Sequence, residues 1–398
     1  MDLKLLGSIL LIVGTSIGAG MLALPIATAQ LGFLGSLGLL LLAWFVMVCG
    51  AFLILEVNLW LPQESNIISM AKVTIGPFGQ LLAWVTYLLL LYSLLSAYIA
   101  GGSDLLHNLF LTRHVDLPAW CSAVAFTILF GFVVYLGIRA VDYTNRGLMF
   151  VKLSAFLILL LLLLPFISTE KLIVENFHKV PFVTAMTVTI TSFGFSTIIP
   201  SLRVYFASNV KKLKTAIIIG SIVPLLCYAA WDAAIIGIIP LDGVNSLSAI
   251  LTSGNSSSRL VNTLNSMTGT TSINFFVKLF TSICIITSFL GVALCLVDFL
   301  ADGLQVEKKG MNTMMISLLA FLPPLIIVLF SPHIFIAGLK YAGIYCVILL
   351  IFLPAWMAWR GRYHRKIAVG FKVFGGKTLL SILILFSLIM CISPFFWS

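Results

Sequence analysis

Two apolar segments of the chain are interrupted near their centres by clusters of small and hydroxyl residues. The first cluster reads Gly-Thr-Ser-Ile-Gly-Ala-Gly at 14–20, and the second reads Thr-Ser-Phe-Gly-Phe-Ser at 191–196. In hydrocarbon, the backbone N–H and C=O groups released at such a break must find a partner or line a water-filled cavity. Each cluster therefore predicts a discontinuous membrane helix whose free backbone groups bind a polar ligand.

The two breaks offer opposite partial charges. A half-helix that begins near Gly18 to Gly20 presents N–H groups and the positive end of its dipole, which favours a carboxylate. A half-helix that ends near Ser192 to Gly194 presents carbonyl groups, which suit an ammonium group. Together they predict a site for a zwitterion, and hence for an amino acid. The alternative is that these small residues only allow close helix packing.

Aromatic side chains of the third and sixth segments add a candidate lining for this site. Such a lining suits an apolar or aromatic substrate side chain, although core or lipid-facing packing is the commoner role for each aromatic residue. The predicted substrate-binding residues are Thr15, Ser16, Gly18, Ala19, Gly20, Tyr92, Tyr98, Thr191, Ser192, Phe193, Gly194, Phe195 and Ser196.

Three ionisable residues lie within apolar segments, where such residues are functional hypotheses by default. Lys152 is a little inside the fifth segment, Asp232 is in the outer half of the seventh, and Glu56 is near the inner end of the second. Lys152 and Asp232 are candidates for exchanging a proton during transport, with snorkelling to the headgroups as the alternative for Lys152. Glu56 is expected to be an interfacial residue or the partner in an ion pair.

The elements that must position these residues are membrane helices. The 398 residues are 61% hydrophobic and 9% charged, well above the roughly 45–50% apolar content of soluble domains. About 20 apolar residues span the bilayer as a helix, and these continuous runs exclude the alternating pattern of a β-barrel. The predicted class is an all-α integral membrane protein with about eleven helices, near 5–27, 34–57, 81–110, 119–137, 148–166, 182–204, 215–240, 274–300, 312–330, 334–357 and 378–397.

The formal charge of +10 is explained by membrane orientation and not by nucleic-acid binding. If the N-terminus is cytoplasmic, most Lys and Arg residues fall at inner helix ends or in inner loops, as the positive-inside rule requires. The odd helix count then places the C-terminus outside. The basic inner loop from Arg360 to Lys377 would contact anionic membrane lipids. The seven cysteines form no CxxC pair, and no metal or cofactor is expected.

The two breaks occupy corresponding positions in two halves of the chain. Each contains Ser-x-Gly and is followed by a proline, Pro25 or Pro200. Placement in segments one and six gives the halves opposite topologies, which predicts an inverted repeat. The external loop at 241–273 is expected to be either a short helix acting as a lid or a flexible loop. The predicted units are a first five-helix repeat at 1–166, a second at 182–357 and an additional helix at 378–397.

An intramembrane serine hydrolase is a remote alternative. Gly-Thr-Ser-Ile-Gly at 14–18 also matches the Gly-x-Ser-x-Gly nucleophile elbow. It lacks a general base, because the five histidines fall in loops or at segment ends, and there is no His-Glu-x-x-His motif. These histidines are His107, His114, His178, His333 and His364.

Several motifs extend along nearly the whole chain. They include Gly-Thr-Ser-Ile-Gly-Ala-Gly-Met-Leu-Ala-Leu-Pro at 14–25, Leu-Glu-Val-Asn at 55–58, Ala-Tyr-Ile-Ala-Gly-Gly at 97–102, Thr-Ser-Phe-Gly-Phe at 191–195 and Thr-Ser-Phe-Leu-Gly-Val-Ala-Leu at 287–294. With these motifs the chain resembles the bacterial aromatic amino acid permease family, which contains tyrosine- and tryptophan-specific transporters. The first-segment pattern looks closest to the tyrosine branch.

The resemblance implies a leucine-transporter-like fold, with discontinuous helices 1 and 6 in a 5+5 inverted repeat and a peripheral helix 11. It implies alternating access and import of an aromatic amino acid, tyrosine first, by proton symport through the inner membrane. In related folds a fifth-helix lysine can lie where a sodium ion would sit, which assigns Lys152, with Thr287 or Ser288, to ion coupling. The alternatives are another neutral amino acid as substrate, or an uncoupled or sodium-coupled exchanger of the same fold.

The sequence departs from the family pattern at two positions. The family usually carries a histidine directly after Ser-Phe-Gly-Phe, where this chain has Ser196. The seventh segment has Asp232 where relatives have an uncharged polar residue. We therefore include Asp232 among the ion-coupling candidates, on the hypothesis that it supplies a titratable group lost at position 196.

Overall fold

The computed structural model describes residues 3–63, 65–173, 182–206, 209–332 and 334–396, and the regular elements within them are helices. The α-helices are α1 Leu3–Ser16, α2 Ala19–Thr28, α3 Gly32–Leu59, α4 Ile67–Thr74, α5 Pro77–Thr112, α6 Ala119–Tyr135, α7 Ile138–Leu163, α8 Thr169–Ile173, α9 Phe182–Ser192, α10 Ile199–Tyr205, α11 Val210–Ile238, α12 Leu247–Leu251, α13 Ser256–Thr268, α14 Thr271–Leu304, α15 Met311–Phe330, α16 Ile334–Val347, α17 Leu353–Trp359 and α18 Gly376–Phe396.

The prediction of an all-helical integral membrane protein is confirmed. Within the described ranges, nine helical segments are long and apolar enough to cross a membrane. One of them, Ala19–Leu59, joins α2 to α3, and the apolar helices α1 and α6 are shorter. Eleven crossings result if α1 and α2 together form one passage, α3 forms another, and α6 also crosses. The count of eleven therefore stays a prediction.

The helix that carries Lys152 is longer than the hydropathy pattern indicates. Gly137 has a φ of +94°, and α7 begins directly after it at Ile138. The first turns of α7 are polar and include the i,i+4 ion pair between Asp142 and Arg146, which supports a helix without making it apolar. Lys152 is consequently in the middle of α7, although it lies only a little inside the apolar part of that helix, as predicted.

The two interrupted helices lie at the centre of the molecule. α2 packs against α9, α1 packs against α11, and α14 passes between α5 and α7. All ten residues of α2 are buried. This surrounding layer of long helices places both breaks out of contact with lipid.

The predicted single run at 334–357 is interrupted by a π-helical turn at 348–352. A Cβ atom on Gly50 of α3 would lie 2.1 Å from the Leu350 carbonyl oxygen in this turn. Glycine is required there because the two backbones are in direct contact. The turn therefore fixes α16 and α17 against α3.

The segment between α11 and α14, predicted to be an external loop, contains two helices, α12 and α13. Of the two alternatives for this segment, the helix is confirmed over the flexible loop, and its function as a lid stays a prediction. The Ser258 backbone N–H and hydroxyl, at the start of α13, donate hydrogen bonds of 2.8 Å and 2.7 Å to the Asp104 carboxylate of α5. A carboxylate at this end of a helix complements its dipole, so Asp104 holds α13 against the C-terminal part of α5.

Candidate functional site

The first break separates α1 from α2 at Ile17 and Gly18. Gly18 adopts extended backbone angles, with φ −153° and ψ −154°. A Cβ atom at this position would lie 2.3 Å from the Ser288 hydroxyl oxygen, so a larger residue would displace that hydroxyl. The Ser288 hydroxyl accepts a 2.9 Å hydrogen bond from the Ala19 backbone N–H. The start of α2 is thereby tied to α14.

The second break separates α9 from α10 by a 3₁₀ turn at Gly194–Ile198. The Thr191 hydroxyl donates a 3.0 Å hydrogen bond to the Leu339 carbonyl of α16. Phe193 and Phe195 are fully buried, so they belong to the packed interior and not to a lipid-facing surface. The Ser196 hydroxyl is buried without a hydrogen-bond partner, as is the Ser16 hydroxyl at the first break.

The two breaks face each other at close range. A Cβ atom on Gly20 would lie 2.9 Å from the Ser192 hydroxyl oxygen and 3.4 Å from its Cα atom. The start of α2 and the end of α9 therefore meet through backbone and small side chains. This contact brings the positive end of one half-helix beside the negative end of another.

Tyr228 of α11 joins the two breaks. Its fully buried hydroxyl lies 2.6 Å from the Ser16 carbonyl oxygen and 2.8 Å from the Ser192 carbonyl oxygen, and it is the donor in both contacts. Its ring packs edge-on against Phe193, with centroids 5.1 Å apart. One hydroxyl hydrogen is thus shared between the carbonyl ends of α1 and α9.

Sequence reasoning missed Tyr228. One available signal was its spacing from Asp232, because residues four apart lie on the same face of a helix. That face of α11 points towards the interrupted helices. An ionisable residue and a tyrosine on one face of a membrane helix would have indicated an interior polar surface.

Lys152 is 1% exposed, so the snorkelling alternative is wrong. Its ammonium group donates a 2.6 Å hydrogen bond to the Ile17 carbonyl in the first break and a 3.3 Å hydrogen bond to the Thr287 hydroxyl of α14. The Thr287 hydroxyl in turn lies 2.9 Å from the Ile283 carbonyl oxygen. A positive charge is therefore fixed between the broken helix and α14.

Some predicted site residues are placed elsewhere. The Tyr92 hydroxyl donates a 2.8 Å hydrogen bond to the Leu319 carbonyl of α15, on a different face of α5 from Tyr98, so the expectation that both tyrosines line one site is not met. The exposed Thr15 bonds only within its own helix, at 2.9 Å from the Ile12 carbonyl oxygen. Nothing lies within 4 Å of where a Cβ on Gly194 would be.

Asp232 is also outside the contact between the breaks. Its hydrogen-bonding partners are Thr28, at the end of α2, and Ser36, near the start of α3. Ser196 is not among them. The carboxyl group is therefore associated with the first broken helix, at the opposite end of α2 from Gly18.

Glu56 forms a buried ion pair, one of the two roles predicted for it. Arg362 donates two hydrogen bonds, of 2.7 Å and 2.5 Å, to the two Glu56 carboxylate oxygens, and the Val373 backbone N–H donates a third at 2.7 Å. The group joins α3 to the loop between α17 and α18. It lies away from both breaks and is structural.

Neither metal binding nor hydrolysis is supported by the side chains near the breaks. The part of the chain that the structure describes contains no group of three or more His, Cys, Asp or Glu residues that could hold a metal ion. Of the five histidines, His178 and His333 lie outside the described residues. Ser16 has no hydrogen-bond partner for its hydroxyl, and so lacks the base that a nucleophilic serine requires.

Comparisons with known proteins agree with the motifs. The tryptophan/tyrosine permease family matches residues 1–394. Tyrosine-specific transport system 1 of Haemophilus influenzae is 35% identical over 396 residues, which is 98% of this chain and 96% of the relative. Glutamine transporter 2 of Aliivibrio fischeri is 32% identical, over 99% of this chain and 100% of the relative. A tryptophan-specific transport protein of Haemophilus influenzae is 30% identical, over 97% and 94%.

The fold is shared with a solved transporter. The crystal structure of a manganese transporter from Eremococcus coleocola, in complex with an aromatic bis-isothiourea substituted compound, superposes with a TM-score of 0.67 at 14% identity. The match covers 99% of this chain and 88% of that one. At this identity the likeness shows the fold alone, and it confirms the predicted leucine-transporter-like fold.

Proposed function

Because the chain belongs to the tryptophan/tyrosine permease family, we propose that it imports an aromatic amino acid, tyrosine first, through the bacterial inner membrane by proton symport. Its relatives are transport proteins, so the protein is a transporter and not an enzyme. The proposed orientation places the N-terminus in the cytoplasm and the C-terminus outside, because this arrangement leaves most Lys and Arg residues on the inner side.

The observation that carries the substrate class is the meeting of the two breaks. The start of α2 offers N–H groups and a positive dipole for the substrate carboxylate. The Ser16 and Ser192 carbonyls offer acceptors for the substrate ammonium, and the Tyr228 hydroxyl holds both of them when no substrate is bound. The two buried hydroxyls without partners, on Ser16 and Ser196, are further groups that a polar substrate would satisfy.

Ion coupling is proposed to act through Lys152. Its ammonium contacts the Ile17 carbonyl at the first break and Thr287 of α14, while the neighbouring Ser288 caps the start of α2. With the proton bound, Lys152 holds the broken helix against α14. Loss of that proton to water removes the charge from this contact and frees the Ile17 carbonyl, so that α1 can move and open the inner side.

Alternating access by two related halves is part of the proposal. Helix contacts match when 1–166 and 182–357 are exchanged. The contact of α5 with α16, which joins the two halves, corresponds to that of α14 with α7, and the contact of α5 with α6, within the first half, corresponds to that of α14 with α15 in the second. This exchange is what an inverted repeat of five helices would produce, and it supports the two-repeat division. The helix at 378–397 has no counterpart in this scheme and is proposed to be peripheral.

The test is uptake of labelled tyrosine into liposomes that contain the purified protein, in sodium-free buffer. We expect an inward proton gradient to drive accumulation, and unlabelled tyrosine to compete. Accumulation that ignores the proton gradient and requires sodium would overturn the coupling. Absence of uptake for tyrosine, tryptophan and phenylalanine alike would overturn the substrate class.

The 32% identity to a glutamine transporter favours one alternative, a different neutral amino acid as substrate. Competition of labelled tyrosine uptake by glutamine discriminates the two. We expect tyrosine and tryptophan to compete at much lower concentration than glutamine, because the similar proteins include tyrosine-specific and tryptophan-specific transport proteins. The reverse order would assign the protein to the alternative.

A further inference from the structure

The Asp232 side chain is fully buried where α11 meets the end of α2 and the start of α3. Its Oδ2 atom is hydrogen-bonded to the Ser36 hydroxyl and lies 3.4 Å from the Thr28 hydroxyl oxygen. The Ser36 hydroxyl lies 2.9 Å from that of Thr28, and the Thr28 hydroxyl lies 2.9 Å from the Leu24 carbonyl oxygen. The Asp232 Oδ1 atom is buried without a partner.

The contacts along this chain outnumber the hydrogens that its two hydroxyl groups supply. Four contacts connect Asp232 to Ser36, Asp232 to Thr28, Ser36 to Thr28, and Thr28 to the Leu24 carbonyl. Each hydroxyl carries one hydrogen, so the two hydroxyls donate fully in only two of the four contacts. A proton on the Asp232 carboxyl group supplies a third hydrogen: Thr28 then donates to Leu24, Ser36 donates to Thr28, and the acid donates to Ser36. The network is therefore more completely satisfied by a protonated acid than by a carboxylate.

The charges on neighbouring elements lead to the same protonation state. Lys152 is hydrogen-bonded to Ile17 and Thr287, the Lys171 ammonium donates to the Ile238 carbonyl at 2.5 Å, and Glu56 is paired with Arg362. In the described part of the chain, no cation is paired with Asp232. Asp232 is hydrogen-bonded to Thr28 and Ser36 and to none of the other charged residues on α11 and on the helices packed against it. These other residues are Lys4, Glu56, Arg139, Asp142, Arg146, Lys152, Glu170, Lys171, Lys211, Lys212 and Lys214.

We propose that Asp232, with Ser36 and Thr28, is a proton-binding site that is occupied in this conformation. The inference rests on the proposed proton symport and adds a second titratable site to it. The ligand is a proton and not a metal cation, because the Asp232 and Ser36 oxygens are joined directly by a hydrogen bond, which leaves no position between them for an ion. Loading transfers a proton from external water to Oδ2 of the carboxylate, and release returns it to water.

Proton binding at this site is linked to the position of α2. In the protonated state, the hydrogen bonds join the end of α2 to α3 and α11. Without the proton, a buried carboxylate is left with too few donors and no cation, which is strongly unfavourable unless water reaches it. Water can reach it only if the end of α2 separates from α11. Proton loading therefore favours the closed arrangement of the outer half of the first broken helix.

Infrared difference spectroscopy on the purified protein, with no substrate present, tests proton occupancy directly. We expect a C=O stretching band of a protonated carboxylic acid at neutral pH, and we expect Asp232→Asn to remove it. Ser36→Ala should shift the band, because the acid loses its hydrogen-bond acceptor. The matched control is Asp298→Asn, which changes an exposed aspartate paired with Lys308 and should leave the band intact. A spectrum in which Asp232→Asn changes nothing, or in which sodium abolishes the band, overturns the proposal.

Transport by the same variant separates this inference from the proposed function. Asn resembles the protonated acid in shape and can donate to Ser36 but cannot exchange a proton. We expect Asp232→Asn to retain exchange of labelled for unlabelled tyrosine and to lose gradient-driven accumulation and its pH dependence. If accumulation of tyrosine by this variant depends on pH as it does in the wild-type protein, the proton site at Asp232 is overturned and the proposed proton symport is not. Absence of proton-driven uptake in the wild-type protein instead contradicts the proposed function, whatever the infrared result.

Discussion

At the scale of single residues, the site is built from side chains that substitute for missing helical hydrogen bonds. Tyr228 donates to two carbonyls, Lys152 donates to a third, and Ser288 accepts from the first amide of α2. In a bilayer these backbone groups have no water to bond. Each of these side chains therefore stabilises one end of a broken helix. A substrate can bind the same backbone groups only when the side chain releases them.

Changing Tyr228 to Phe removes the shared hydroxyl and keeps the ring packed against Phe193. Two buried carbonyls then lose their donor, at a cost of about 1–3 kcal/mol to this conformation. We expect the tyrosine uptake rate to fall by about tenfold, since about 1.4 kcal/mol changes an equilibrium tenfold. Thermal unfolding should show a folded protein. Wild-type uptake by this variant would mean that the hydroxyl is not part of the site.

Changing Lys152 to Met keeps a flexible, unbranched side chain that is one atom shorter and removes the ammonium group. We expect gradient-driven accumulation to be lost, because the charge that holds Ile17 to Thr287 is gone. The matched control is Lys171→Met, which removes another ammonium that bonds a backbone carbonyl, that of Ile238. The proposal for Lys152 fails if the two variants accumulate substrate equally well in the same liposome assay.

At the scale of elements, glycines set how closely helices approach. Gly20 brings the start of α2 against Ser192 of α9, and a Cβ atom on Gly343 of α16 would lie 2.2 Å from the Thr187 carbonyl oxygen of α9. α9 is therefore held on both sides by close contacts, and at Gly343 a larger residue would meet the backbone of α9. Such contacts replace the hydrophobic driving force that is missing between helices in lipid.

Gly20→Val tests whether the breaks must touch. A Cβ at this position meets Ser192 at 2.9 Å and 3.4 Å, so we expect α2 and α9 to separate and tyrosine binding to be lost. Gly291→Ala is the matched control, because no atom lies within 4 Å of its Cβ position inside α14. Alanine there should raise stability by up to about 1 kcal/mol. Tyrosine binding, measured on the purified protein, should be lost in Gly20→Val and retained in Gly291→Ala.

Most helices and the location of both breaks could be predicted from the sequence alone. Continuous apolar runs and the Gly-Thr-Ser-Ile-Gly cluster predict membrane helices and an interruption because both depend on local composition. The polar start of α7 was missed, since hydropathy does not detect helical turns outside the apolar region. Tyr228 was missed for a different reason: its role depends on two carbonyls, those of Ser16 and Ser192, and only tertiary packing brings them together.

At the scale of the whole molecule, a buried ion pair connects distant parts of the chain. The Glu56 and Arg362 side chains are 0% and 6% exposed and connect α3 to the loop before α18. Removing one partner of a buried pair leaves an uncompensated charge. This pair thus connects the first part of the chain to the last.

Glu56→Gln should destabilise the protein by about 3–5 kcal/mol, because Arg362 keeps its charge in a buried position. Thermal unfolding in detergent measures the effect. The matched control is Asp142→Asn, which breaks an exposed ion pair with Arg146 and should cost at most about 1 kcal/mol. Comparable shifts in melting temperature for the two variants would show that burial of the Glu56 pair does not matter.

The two halves of the sixth passage are attached to different partners. α9 is held to α16 at Gly343, whereas Arg203 of α10 donates hydrogen bonds to the Asn58 and Leu61 carbonyls that end α3. The 3₁₀ turn at Gly194–Ile198 lies between these two attachments. We expect rotation at this turn to move α10 together with the end of α3, to which Arg203 binds it, while α9 keeps its contact with α16. Spin labels on α10 and α16 should then change their separation during the transport cycle, and labels on α10 and the end of α3 should not.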